Sequence, residues 1–129
     1  MASSCVLRAA GDNFQPFDFL RDSPFQPCHV YCKGSRRSAS TVWQTSGMTV
    51  DVSTKDEFSE QVRDAVFFLE NNLAELVRLK QFNGLTEMRL DFGVNEKGSF
   101  LQTYVFPLEL ICLAGELALE LELSIYATQ

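Results

Sequence analysis

The sequence predicts an α+β domain, a ferredoxin-like variant in which a mixed sheet of about five strands carries a long amphipathic helix and a C-terminal helix on one face. Three observations predict it. Phe58, Val62, Ala65, Val66, Leu69, Leu73, Leu76 and Val77 recur at three- and four-residue spacing, which lines them along one side of a helix. Thr86, Met88, Leu90, Phe92 and Val94 alternate with Glu87, Arg89 and Asp91, the period of a strand buried on one face. An apolar helix opened by Pro107 gives way at Leu119 to a second period of two. With 129 residues, 46% hydrophobic and 22% charged, the chain fits one domain over residues 1–129, which excludes a fibre, a disordered tail and a multidomain enzyme.

The elements follow in order. Ser4 to Ala10 alternates, with Cys5, Leu7 and Ala9 on one side, and Gly11-Asp12-Asn13 supplies a turn. Pro16 suits the first turn of a short helix through Asp22, which Pro24 and Pro27 stop. Cys28 to Lys33 reads as a second strand. Thr41 to Ser46 reads as a third, resuming at Met48 to Val52 after a kink at Gly47. Thr54 and Glu57 have the spacing of a capping box at the start of the long helix, which Asn83-Gly84 ends. Asn95 to Gly98 makes the turn after the Thr86–Val94 strand.

The last helix carries Leu108, Leu110, Ile111, Cys112, Leu113 and Leu117, so little of it is polar and burial on most sides is expected. Its Ala114-Gly115 pair permits close approach of a neighbour. Leu119, Leu121, Leu123 and Ile125 then face one way and Glu120, Glu122, Ser124 and Tyr126 the other.

Charge is uneven. Residues 1–50 carry five Lys/Arg against three Asp/Glu, and residues 51–129 carry six against fourteen, for a net charge of −6. The one basic cluster, Lys33, Arg36 and Arg37, lies in a Gly/Ser-rich loop, too small a footprint for nucleic acid. An acidic surface suits solubility or the steering of a basic partner. The apolar run Val105–Leu123 is interrupted by Glu109, Glu116, Glu120 and Glu122, so no membrane span is expected. No amino-terminal segment has the order of a signal peptide, which points to a cytoplasmic protein with reduced thiols.

Gly11-Asp12-Asn13-Phe14, the Lys33-Gly34-Ser35-Arg36-Arg37 segment, the Trp43 stretch, the long helix and Leu121-Glu122-Leu123-Ser124-Ile125-Tyr126 together resemble a bacterial family of small uncharacterised domains. The resemblance spans nearly the whole chain and implies no catalytic residues. The family it resembles has no established activity, although domains of this size and style often sit beside bacterial toxin genes as immunity proteins, an association that supplies no mechanism. Phe106-Pro107-Leu108 departs from the Ser-Pro-Glu-like start that the family's last helix usually has, so that end lacks a capping hydroxyl.

The chemistry in the sequence is sparse. Cys28, His29 and Cys32 are zinc-ligand types, but in a strand the two cysteines lie roughly 13 Å apart and His29 points to the other face. Buried thiols at 28, 32 and 112 are expected instead, with neither metal nor cofactor. His29 is the chain's one histidine and faces away from both neighbouring thiols, so it completes no dyad. Glu87 with Asp91, and Glu120 with Glu122, share strand faces where charge is expected anyway. Trp43 is expected at the core edge, and Arg36 and Arg37 as loop charges or contacts to an anion.

Phe67 is the anomaly. It lies about 180° from Phe58 around the helix, among Glu60, Arg63, Glu70 and Asn71, given roughly 100° per residue. An aromatic anchor inside a charged rim suits a protein partner. The expected function is therefore binding, as an immunity-type inhibitor that captures a basic toxin through this face. Homodimerisation through Phe67 or an open sheet edge is a further use. The competing reading is a small-molecule binder or an enzyme with a cleft between helix and sheet.

Overall fold

The central strand is β1 (Ser4–Gly11), which pairs antiparallel with β3 (Ser46–Ser53) on one side and β4 (Glu87–Asn95) on the other. The computed structural model describes residues 3–127. A three-residue β2 (His29–Tyr31) extends the sheet beyond β3, and β5 (Glu120–Tyr126) lies parallel to β4, giving the order β2-β3-β1-β4-β5. This is the expected α+β fold with an open five-stranded mixed sheet. Its crossover unit is β4, then α4 (Leu108–Glu116), then β5.

Alternation along the strands decides what each face holds. Cys5, Leu7 and Ala9 on β1 and Met88, Leu90, Phe92 and Val94 on β4 are buried toward the helices. On that side α2 (Phe58–Asn71) lies over β3, β1 and β4, while α4 packs against α2 and β5. The other face carries Arg8, Arg89, Glu120 and Glu122. Asp91 points to this face and is nevertheless buried, because its carboxylate accepts from Arg8 Nη2 at 3.0 Å and from Ser124 Oγ at 2.7 Å.

Several expectations need correction. Thr41–Thr45 is not a strand, since a bridge between Arg36 and Val42 and paired bonds between Trp43 and residues 34 and 35 fold the segment onto its own loop. The capping box does not form either. The helix begins three residues later, with Glu57 as its N-cap and no side-chain cap bond. Its approach is held from within by fully buried Gln61, whose Nε2 donates to the carbonyls of Lys55 and Gly93, each at 2.9 Å.

The long helix is interrupted at Asn72, where φ −129° and ψ 24° are not helical, and α3 (Leu73–Lys80) follows. Asn71 and Asn72 donate side-chain amides to the carbonyls of Phe67 and Phe68, at 2.7 and 2.8 Å, and such local bonds compete with helix continuation. The break resets the phase. Leu76 and Leu79 turn inward, whereas Leu73 and Val77, expected on the apolar face, are 42% and 43% exposed.

The last helix is less covered than its composition suggests. Leu110, Ala114 and Leu117 face the core, but Leu108, Ile111, Cys112 and Gly115 are exposed. The cysteines are corrected with it. Cys28 and Cys32 are exposed because the second strand is short and lies at the sheet edge, Cys112 because it lies on the outward side of α4, and Cys5 alone is buried. Burial, with the Asp91 and Asp64 carboxylates, pushes the Cys5 thiol far above its ordinary value. Thiol titration of the native protein is therefore expected to modify Cys28 and Cys32 quickly and Cys5 only after denaturation. Protection of Cys28 or Cys32 in the native state would contradict this arrangement.

Candidate functional site

A cleft of about 600 Å³ opens between the start of α2, the end of β4 and the irregular strap that leads to α4. Two rings line it, Phe58 at the first turn of α2 and Tyr104 of the strap, 5.1 Å apart between centroids. Phe58 also packs on Phe92 of β4 and Phe106 of the strap, at 5.5 and 5.3 Å. Val62, Val94, Leu101, Val105 and Pro107 add aliphatic surface. These rings gather here because β4 alternation sends Phe92 toward the helices and Pro107 ends the strap beside them.

The rim is polar. Lys97 Nζ pairs with the Glu57 carboxylate at 3.1 Å, and the Lys97 backbone N–H donates to Gln102 Oε1 at 3.1 Å. Gln102 Nε2 in turn donates to the Tyr104 hydroxyl. Asp56 accepts from Ser3 Oγ at 2.6 Å. The strap is thus fastened to the start of α2 by one ion pair and to itself by an amide. Phe100, beside the cleft, is fully exposed, and Leu101 and Val105, which line it, are 74% and 69% exposed. An apolar seat with a charged rim can bind and orient a ligand. None of the residues lining it is a histidine or cysteine, and none makes a nucleophile–base pair.

The residues singled out by sequence are scattered. Phe67 is 69% exposed on the outward face of α2, with Arg63, Glu70 and Asn71 exposed and Glu60 half-buried on the same element. That face is not part of the cleft. Phe67→Ala is expected to leave stability within about 0.5 kcal/mol in a urea titration, since a ring already in water loses little on removal. A loss of several kcal/mol would mean the ring packs against something.

His29 stands edge-on to Tyr31 and Trp43, and these two stack at 3.7 Å. Arg37 lies over the Trp43 ring at 4.5 Å, and Arg36 donates to the Ala39 carbonyl, so the two arginines brace the loop from different directions. The carboxylates of Glu87, Glu120 and Glu122 surround Arg89 at 2.9, 3.2 and 3.6 Å. Among the described residues no group of three His, Cys, Asp or Glu is placed to hold a metal ion, and no helix is long and apolar enough to cross a membrane.

Sequence reasoning passed over the cleft. Residues 99–106 pack Phe100, Leu101, Tyr104, Val105 and Phe106 into a stretch without helical or strand period. That density of rings in an irregular connection was the available signal.

Fold and site together define a small α+β domain with helices on one face of an open sheet and a cleft between α2 and the strap, lined in part by Phe58 and Tyr104. The chain belongs to the family described as Domain of unknown function (DUF4279), which matches residues 1–128. No curated protein and no solved structure matches it.

Proposed function

We propose that this domain works by binding a protein partner that inserts an apolar side chain, flanked by basic residues, into the cleft between α2 and the strap. The observation that carries the reading is the placement of exposed apolar residues around the cleft mouth as well as within it. A small molecule seated inside would leave Phe100 and the outer parts of Leu101 and Val105 in water, whereas a protein surface would cover them. The net charge of −6, with Asp56 and Glu57 on the rim, favours basic residues around the anchor. Capture of a basic toxin, the immunity-type role, is one case of this chemistry, and reduced thiols fit a cytoplasmic setting. The Phe67 face of α2, with Glu60, Arg63, Glu70 and Asn71, is a second contact surface that a large partner would reach.

Selection from a random peptide library tests the reading. Enriched peptides are expected to share an aromatic or large aliphatic residue beside Lys or Arg, and to lose about tenfold or more in affinity against Leu101→Asp and Val105→Asp. Enrichment without that pattern, or binding indifferent to both substitutions, refutes it. Small apolar compounds that shift the cleft's amide resonances while no peptide binds would establish the competing small-molecule reading.

A further inference from the structure

We propose that the free edge of β5 and the outward stripe of α4 form one self-complementary surface, through which two copies of this chain join their sheets edge to edge. The two edges of the sheet are built differently. β2 has three residues and follows Pro27, which blunts it. β5 runs for seven residues in unbroken register with β4, contains no proline, and among the described residues no other segment pairs with its outer side. Charged side chains commonly guard such an edge. Here Glu120 and Glu122 are both drawn back toward β4 by Arg89, which leaves the backbone groups open.

The strand's own sequence names the occupant. In an antiparallel pair related by a two-fold axis through Leu123, Glu120 lies opposite Tyr126, Leu121 opposite Ile125, and Glu122 opposite Ser124. Every residue of β5 is then paired, carboxylates meet hydroxyl-bearing side chains and aliphatic meets aliphatic. Moving the axis one residue back to position 122 sets Glu122 against its own copy, which like-charge repulsion disfavours. The centred register is therefore the one that pairs all of β5 without setting like charges opposite each other.

The helix layer agrees. Leu108, Ile111, Cys112 and Gly115 fall at i, i+3, i+4 and i+7, and all four are exposed. Glu116, on the flank next to this stripe, lines a small depression with Val77 and Lys80 of α3, so that flank faces inward and the side bearing Ile111 faces the β5 margin. A two-fold axis perpendicular to the sheet brings the two α4 helices side by side on the same face. Because α4 packs against α2 and β5, the two-fold turns the Ile111 side of one α4 toward the same side of the other. A Cβ at Gly115 would meet nothing within 4 Å, so its missing side chain makes room for a neighbour outside this chain.

Sedimentation velocity on the full chain over a range of concentrations tests the surface. The protein is expected to be dimeric, and Ile111→Lys and Ile125→Lys are each expected to weaken association about tenfold or more, while the thermal midpoint of the dissociated monomer at high dilution stays unchanged. Register is tested separately in a chain with Cys28, Cys32 and Cys112 replaced by serine. There Leu123→Cys is expected to form an interchain disulfide on oxidation, because the axis sets position 123 beside its own copy, whereas Glu120→Cys is not. A wild-type protein that stays monomeric at every concentration, a dimer that survives both lysine substitutions, or cross-linking at position 120 in place of 123 overturns the proposal.

Discussion

Phe92→Ala is expected to destabilise the fold by about 3–5 kcal/mol, the range for emptying a fully buried aromatic site. Phe92 has no exposed surface and contacts Phe58 and Phe106 at ring distances of 5.5 Å. Its removal leaves those rings facing a void that the sheet behind them cannot fill, since β4 is held between β1 and β5. The loss reads out as a lower urea midpoint with little change in slope. Because Phe58, which rests on Phe92, also lines the cleft, peptide binding should fall with stability in this variant. A loss below about 1 kcal/mol would mean that α2 settles onto the sheet without the ring, and the account of the aromatic cluster would be wrong.

Gly84→Ala is expected to be comparably severe, for two separable reasons. Gly84 has φ +88°, and an alanine held in the left-handed region costs about 1–3 kcal/mol. A Cβ there would also overlap the backbone of Asn13 and Phe14, where the turn before β4 crosses the turn after β1. From the other side, a Cβ on Gly11 would overlap the Gly84 carbonyl oxygen. Neither overlap can be relieved by rotating a side chain. Gly98 supplies the control, since it has φ +68° with nothing within 4 Å of a Cβ. Gly98→Ala should therefore show the conformational cost alone, and Gly84→Ala should exceed it by about 1 kcal/mol or more in denaturant titrations. Equal costs at the two positions would show that the crossing turns can separate freely.

Local sequence carried much of this architecture. The inward sets Cys5, Leu7 and Ala9 and Met88, Leu90, Phe92 and Val94 appear in the fold as read, because a strand with one buried face leaves no freedom in which residues alternate inward; along Glu120–Tyr126 the strand forms but burial does not alternate, and Ile125, read as inward, is exposed at the sheet edge. The exposure of Phe67 was legible for a similar reason, as a helical position opposite the buried stripe faces away from the sheet. Asn71-Asn72 was visible too, yet whether two amides cap carbonyls or point to water depends on competition with the helix bonds, and the phase beyond the break follows from that local choice.

Other features arise only between distant segments. The cleft needs Phe58, Val94 and Tyr104 from three parts of the chain, and no period within any one of them records the meeting. The burial of Asp91 depends on Arg8 and Ser124 arriving from β1 and β5. The exposure of Cys28, Cys32 and the Ile111 side of α4 depends on which strands end the sheet. The sequence by itself determined strands β1, β4 and β5, the helical stretches, the inward faces of β1, β4 and α2, and the acidic balance, since these rest on local periodicity and composition. Strand order, the helix break's consequences, the cleft and the free β5 edge were decided by tertiary structure, because side-chain burial there is set by neighbours far along the chain, each placed by the packing of the whole.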